Sequence, residues 1–338
     1  MNQDKSNSPL EGDQKPIYLA LSGGVGGAKL ALGLSQLLAH RLFVMANTSD
    51  DFIHLGLNIS PDLDTVMYTL ANLNNKELGW GLANESWQFM NALEQLNQPN
   101  WFRLGDRDLA THITRTELLK QGNTLSQVTQ RLTVALDIDA HIFPMTDQVV
   151  STFVRLEDGS ALGFQEYFVK EQCQPKISGY FFEGIEKTKS SKQFISTLDN
   201  PNLAAIIICP SNPFVSIEPI LSIPETADAI RQHPAPVIAV SPIIAGQAVK
   251  GPTAKMMQEL GIPSSVLGVA EYYQQQHGDL IDCFIIDHKD QHLQPELESM
   301  GLSVLAVNTM MNTLQDRVTL AGHCLSLAAQ WTSEHKEK

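Results

Sequence analysis

The chain is short of cysteine and of positive charge. Four cysteines, Cys173, Cys209, Cys283 and Cys324, stand far apart in 338 residues. None forms a C-x-x-C pair, which speaks against a zinc site or a redox dithiol. Buried free thiols in a reducing compartment are expected instead. Lysine and arginine number 23 against 37 acidic residues, a net charge of -14. A general nucleic-acid binder needs a basic face, so no nucleic-acid partner is expected. One electropositive pocket for a small anion remains compatible with an acidic surface. No apolar run approaches the roughly 18 residues of a membrane span. Residues 1–15 are polar and read as a disordered tail rather than a signal peptide. A cytoplasmic protein with no membrane association is expected.

What is present looks globular: 43% apolar and 18% charged residues. Residues 16–338 read as a single domain. Ile17–Leu21 is a buried strand that stops at a glycine cluster, Ala28–Leu38 has helical spacing, and Leu42–Ala46 is a second buried strand. Strand, glycine loop, helix and strand make a βαβ unit. Helical periodicity follows over Ser86–Leu96, Leu109–Gln121 and Thr124–Leu136, the last opened by a capping box of Thr124 and Gln127. The period then changes to two. Val149–Leu156 and Ala161–Phe168 flank Asp158-Gly159, a hairpin signal, so residues 147–190 read as antiparallel. Buried runs return at Ala204–Cys209, Val237–Val240, Leu280–Ile286 and Ser303–Val307, and Leu314–Gln330 is an amphipathic helix. The fold class is therefore α/β: a Rossmann-like parallel sheet with flanking helices. Its core spans about 16–70 and 200–330, with a smaller helical and antiparallel insertion over about 80–190.

The strongest local motif is Ser22-Gly23-Gly24-Val25-Gly26-Gly27-Ala28-Lys29. A strand ending in such a loop and followed by a helix points free N–H groups and the positive helix end outward. Glycines let the backbone approach an anion without a Cβ in the way. Two familiar phosphate templates fail. A P-loop needs glycine before the lysine and Ser or Thr after it, whereas Lys29 lies between Ala28 and Leu30. The dinucleotide fingerprint puts glycine where Lys29 stands. The loop reads as a nonstandard phosphate cradle, against the plainer reading of a tight turn.

The second strand ends in Asn47-Thr48-Ser49-Asp50-Asp51, and Asp62 and Asp64 follow in Ser60-Pro61-Asp62-Leu63-Asp64-Thr65. The carboxyl ends of parallel strands are where open α/β sheets bind ligands. Carboxylates beside a phosphate repel it unless a cation intervenes, and Mg²⁺ does this with one or two carboxylates plus substrate oxygens. The competing reading is capping: Asp62 at the start of the helix containing Val66–Leu70, and Asp50 closing a turn.

SGGVGGAKLALGL (22–34), NTSDD (47–51) and PDLDTVMYTL (61–70) resemble the 2-phospho-L-lactate transferase family, called CofD, or FbiA in actinobacteria. So do LGDRDLATHITRTELLKQGNTLSQVT (104–129), CPSNPFVSIEPIL (209–221) and SPIIAGQAVKGPTAKMMQELG (241–261), in matching order. The loop with Val25 looks like bacterial members, and Ser49 stands where archaeal members usually carry glycine.

The resemblance implies transfer of a phospho-hydroxyacid from a guanosine-diphosphate-linked donor to the deazaflavin Fo. GMP leaves, and the de-glutamylated precursor of the redox coenzyme factor 420 forms. Mg²⁺ is implied as cofactor, with a guanylyltransferase and a glutamyl ligase as functional partners and a homodimer as the assembly. The donor acid stays open among 2-phospho-L-lactate, enolpyruvyl phosphate and 3-phosphoglycerate. The glycine loop, Ser22 to Gly27, would hold donor phosphates, with Lys29 and Asn47 beside it. Asp50 and Asp64 would be metal ligands, with Asp51 and Asp62 nearby. One of these carboxylates would take the attacking hydroxyl's proton. Asn212, Pro213 and Ser216 fall to the nucleotide side. Gly251, Thr253 as helix cap, and Lys255 look like a further phosphate contact, and Arg107 and His112 like substrate-pocket residues. Trp80, Trp87 and Trp101 read as core or lid packing, or as a stacking surface for the deazaflavin. The rival reading is a nucleotide-sugar-binding regulator resembling the YvcK type; a dehydrogenase is disfavoured by the missing third glycine.

Overall fold

The computed structural model describes residues 15–248 and 251–335. Residues 1–14 of the expected tail lie outside them. The chain opens with β1 (Ile17–Ser22), α1 (Val25–Leu38) and β2 (Leu42–Ala46), the expected βαβ unit. A short hairpin, β3 (Phe52–His54) and β4 (Leu57–Ile59), leads into α2 (Pro61–Leu70). Three helices follow: α3 (Gln88–Gln95), α4 (Asp108–Lys120) and α5 (Leu125–Ala135). The capping box on α5 is formed: Thr124 accepts from the Gln127 amide, and the Gln127 side chain accepts from the Thr124 amide.

β5 (His141–Pro144) then joins the main sheet beside β2. It divides the 80–190 stretch into a helical part and an antiparallel part. The antiparallel part holds β6 (Ser151–Leu156), β7 (Ala161–Gly163) and β8 (Ile177–Glu183), with β6 in the middle. The second hairpin strand is shorter than expected. Past Gly163 the chain leaves the ladder and winds through a π-helical turn at Glu166–Lys170. Here Phe164 and Phe168 turn towards a cavity rather than along a strand.

The parallel sheet resumes through α6 (Lys192–Leu198), β9 (Leu203–Ile208), α7 (Glu218–Leu221), α8 (Thr226–Gln232) and β10 (Val237–Val240). A small ribbon, β11 (Ile243–Ile244) with β12 (Gln247–Ala248), precedes α9 (Thr253–Glu259) and α10 (Val266–His277). β13 (Cys283–Asp287), α11 (Gln294–Ser299), β14 (Ser303–Val307) and α12 (Leu314–His335) complete the chain.

The seven-stranded sheet runs β14-β13-β10-β9-β1-β2-β5, every pairing parallel. Alternate residues of β1 serve opposite faces, as strand geometry requires. Leu19 and Leu21 pack with Ile206, Ile208 and Phe284 on one side. Tyr18 and Ala20 pack with α1, α2 and α12 on the other. A Cβ on Gly33 would overlap the Arg317 carbonyl, so glycine there permits the close crossing of α1 and α12. The chain order reverses between β1 and β9. That is the switch point at which open parallel sheets hold ligands, outside the carboxyl ends of the strands.

Candidate active site

The loop after β1 and the loop after β9 meet at the switch point. Gly23 N donates to Ser211 Oγ at 3.0 Å. The glycines are there for space, since none from Gly23 to Gly27 has a positive φ. A Cβ on Gly26 would overlap the Pro210 carbonyl oxygen, and one on Gly24 would stand 2.6 Å from Asp62 Oδ1. Helix α1 starts at Val25 with no side-chain cap and no acid in its first turn. Its leading N–H groups and positive dipole end are left for an anion.

Gly24, Val25, Gly26 and Lys29 line a cavity of about 550 Å³. Asp50, Asp62, Asn212, Ser216, Gly251 and Thr253 line it too, as do Ser241 and Thr309 beyond neighbouring strand ends. Ser22, Gly23 and Gly27 lie behind the loop, with Ser22 Oγ donating to the Gly23 carbonyl at 2.8 Å. Asn212 caps its own turn by accepting from the amides of Phe214 and Val215, with Pro213 the first residue of that turn.

The aspartates fall into two environments. Asn47 Nδ2 donates to Asp62 Oδ2 at 3.0 Å and to the Val215 carbonyl, tying the loop after β2 to α2 and to the loop after β9. Asp50 is buried, and its Oδ1 has no hydrogen-bond partner. Burial pushes the Asp50 carboxyl well above its ordinary value, and the like charges of Asp62 and Asp51 add to the effect. Burial pushes Asp62 up to about 6. Asp51 Oδ2 accepts from Ser60 Oγ at 2.6 Å while its Oδ1 is unpartnered, and burial raises its carboxyl as well. The capping reading of Asp62 fails because α2 begins at Pro61, with Asp62 already inside its first turn.

Asp64 stands apart, against Arg115. Arg115 Nη1 donates to Asp64 Oδ2 at 3.1 Å and Nη2 donates to Oδ1. His112 Nδ1 lies 3.3 Å from the same Nη1, so it accepts and the ring proton sits on Nε2. That nitrogen faces Asp108 Oδ2 at 3.1 Å, too obliquely for a well-formed hydrogen bond. Asp108 Oδ1 accepts from Tyr68 OH at 2.5 Å. Asp64, Asp108 and His112 thus cluster as metal ligands sometimes do, but a guanidinium already balances them.

Several expected contacts fall elsewhere. Lys255 does not line the cavity: its Nζ donates to Glu259 Oε1 at 2.5 Å and to the Pro175 carbonyl at 3.1 Å. Arg107 donates to the Ala83 carbonyl at 2.7 Å. Thr253 is not the cap of α9. Pro252 holds that position, and Thr253 is the first helical residue, its backbone already turned into the helix. Trp80 and Trp101 line the cavity, whereas Trp87 lies beneath the Arg103 guanidinium at 4.2 Å. Phe102, Phe164, Gln165 and Phe168 also line it, and no local pattern marked them as site residues.

The family model described as 2-phospho-L-lactate transferase CofD matches residues 19–318. The chain belongs to this family. A phosphoenolpyruvate transferase of Kitasatospora aureofaciens is 36% identical over 92% of this chain and 98% of its own length. A 2-phospho-L-lactate transferase of Methanosarcina acetivorans is 35% identical over 91% of this chain and 98% of its own. A crystal structure of a UPF0052 family member from Bacillus halodurans superposes with a TM-score of 0.60 over 88% of this chain and 94% of that one. At 13% identity that likeness shows the fold alone. Among the described residues no helix is long and apolar enough to cross a membrane.

Proposed function

We propose that this CofD family member transfers a phospho-hydroxyacid from a guanosine-diphosphate-linked donor to the terminal ribityl hydroxyl of Fo. The observation that carries this reading is the cavity itself. An uncapped helix start and Lys29, two buried carboxylates and a group of aromatic rings converge on one space. That is a composition for a charged phosphate end and a flat ring end.

The residues also fit a divalent cation. Asp50 and Asp62 are buried carboxylates, Asp50 Oδ1 has no partner, and the charges acting on Asp50 are those of Asp62 and Asp51. Unbalanced oxygens of this kind suit a hard cation. Asp50 and Asp62 would hold Mg²⁺; Asp64, with both oxygens on Arg115, is placed to order Arg115 and His112 instead. When bound, the ion would neutralise phosphate charge. The α1 N–H groups and Lys29 would orient the donor phosphates, and the aromatic wall would keep water from the reacting atoms. The Fo hydroxyl oxygen attacks the phosphorus that carries the acid. Its proton passes to one of the raised carboxyls, the bond to GMP breaks, and GMP leaves with the electron pair. Positioning and charge neutralisation are most of what phosphoryl transfer requires.

Purified protein would be incubated with Fo, GTP, Mg²⁺ and a guanylyltransferase, with phospholactate, phosphoenolpyruvate or 3-phosphoglycerate in separate reactions. Mass spectrometry should show an Fo phosphodiester and GMP, both lost in Asp50→Asn. No product from any acid, with a nucleotide sugar bound instead, would overturn the reading in favour of a regulatory binding protein.

A further inference from the structure

We infer that Gln165 is the group that reads the hydrogen-bonding edge of the acceptor's ring, an inference that rests on the transferase reading above. Past Gly163 the antiparallel insertion gives way to the π-helical turn. Phe164, Gln165, Phe168 and Val169 all line the cavity. Their spacing, i, i+1, i+4 and i+5, is one face of a helical turn. The Phe164 and Phe168 rings are stacked, 5.6 Å between centroids and 6° between planes. Trp80 and Trp101 contribute further aromatic surface to the same space. Such a lining suits a flat, extended ring system.

The amide of Gln165 interrupts this apolar face. Gln165 is 8% exposed. Among the described residues its side chain has no hydrogen-bond partner, although it lines the cavity. Its polar atoms are open to the cavity rather than sealed in the interior, so a ring that closes over them without pairing them leaves an amide bare beside aromatic rings, which is costly. A ligand that supplies both halves of the pairing removes the cost. A primary amide has a carbonyl acceptor beside two N–H donors. Its complement is a carbonyl and an N–H side by side, as on the imide edge of a flavin-like ring. A ring without that edge leaves Gln165 unpaired and is rejected for that reason. Guanine offers a similar edge. The polar side chains expected on the nucleotide side, Asn212 and Ser216, come instead from the segment after β9 and also line the cavity. Gln165 belongs to the aromatic wall and is therefore assigned to the acceptor.

The test compares wild type with Gln165→Leu and with Gln165→Glu, which keeps the side-chain size and loses the amide donors. Far-ultraviolet circular dichroism would check folding. Fo binding would be titrated directly by fluorescence quenching, which needs no turnover, and KM would be measured separately for Fo and for the guanylylated donor. The expected result is Fo affinity weakened roughly 10- to 100-fold in both variants, with the donor KM within about twofold of wild type. Wild type should also discriminate against an Fo analogue methylated on the ring N–H, and Gln165→Leu should not. Unchanged Fo affinity in a folded variant, or a change confined to the donor, overturns the assignment. Failure of the transferase reading would show differently, as wild type that binds Fo or not but forms no phosphodiester with any donor.

Discussion

Arg115 sets both of its terminal nitrogens on the carboxylate of Asp64, Nη1 to Oδ2 at 3.1 Å and Nη2 to Oδ1, while Nη1 also reaches the Asn58 carbonyl at 3.3 Å. Arg115 is 1% exposed and is the largest fully buried side chain among the described residues. Removing one member of such a pair strands the other charge in the interior. Arg115→Met should therefore cost about 3–5 kcal/mol, read as a lower urea midpoint. Arg115→Met combined with Asp64→Leu should recover a large part of that loss. A single variant as stable as wild type would show that water, not Arg115, balances Asp64.

Lys29 and Lys255 separate two kinds of lysine that look alike in the sequence. Lys29 lies on the cavity wall one turn into α1, whereas Lys255 is spent on Glu259 and the Pro175 carbonyl. A charge-assisted contact to phosphate is worth roughly 1.5–3 kcal/mol. Lys29→Met should accordingly raise the donor KM about 10- to 100-fold. Lys255→Met should leave KM within about twofold and act on melting temperature alone. Equal KM effects would mean that the turn around Pro175 reaches the donor.

Gly26 fixes how closely two loops approach. Its missing Cβ is what lets the Pro210 carbonyl pack against the start of α1. In Gly26→Ala the two loops must separate. Backbone shifts of that kind cost roughly 1–3 kcal/mol, and they widen the phosphate cradle. The variant should fold, melt earlier and bind GDP more weakly. Gly122 offers the matching control. Nothing lies near its Cβ position, but its φ is +88°, so Gly122→Ala should cost stability without touching GDP affinity.

Features set by neighbouring residues were legible in the sequence. The βαβ opening, the α5 capping box and the acid-rich end of β2 each follow from a few adjacent side chains. What depends on distant partners was not. β5 has four residues and no distinctive period; it becomes a sheet strand because β2 offers it an edge. Asp62 and Asp64 are two apart on α2 and alike in sequence, yet one meets Asn47 and the other Arg115, 51 positions away. Phe164 and Gln165 read as the middle of the hairpin strand Ala161–Phe168, since nothing local announces a π-helical turn. Thr253 was misassigned as a cap by one residue, which is enough to turn a cap into a first helical position.

The raised carboxyl of Asp62 gives a signed dependence on pH. Its folded value is about 6, against roughly 3.9 for an unfolded aspartate. Between those values the folded state holds more protons than the unfolded one, so this group's contribution to stability falls as pH rises and levels off above about 6. Other carboxyls, Asp108 and Asp287 among them, are held below their ordinary value and pull the opposite way. The contribution must be isolated by difference. Asp62→Asn keeps an oxygen for Asn47 and removes the charge. In chelator, it should match wild type near pH 4 and exceed it by of order 2–3 kcal/mol at pH 7. Added Mg²⁺ should narrow that gap at pH 7 by stabilising wild type and not the variant. A gap that stays constant with pH would place Asp62 in ordinary solvent. A gap that Mg²⁺ leaves untouched would remove Asp62 from the cation site.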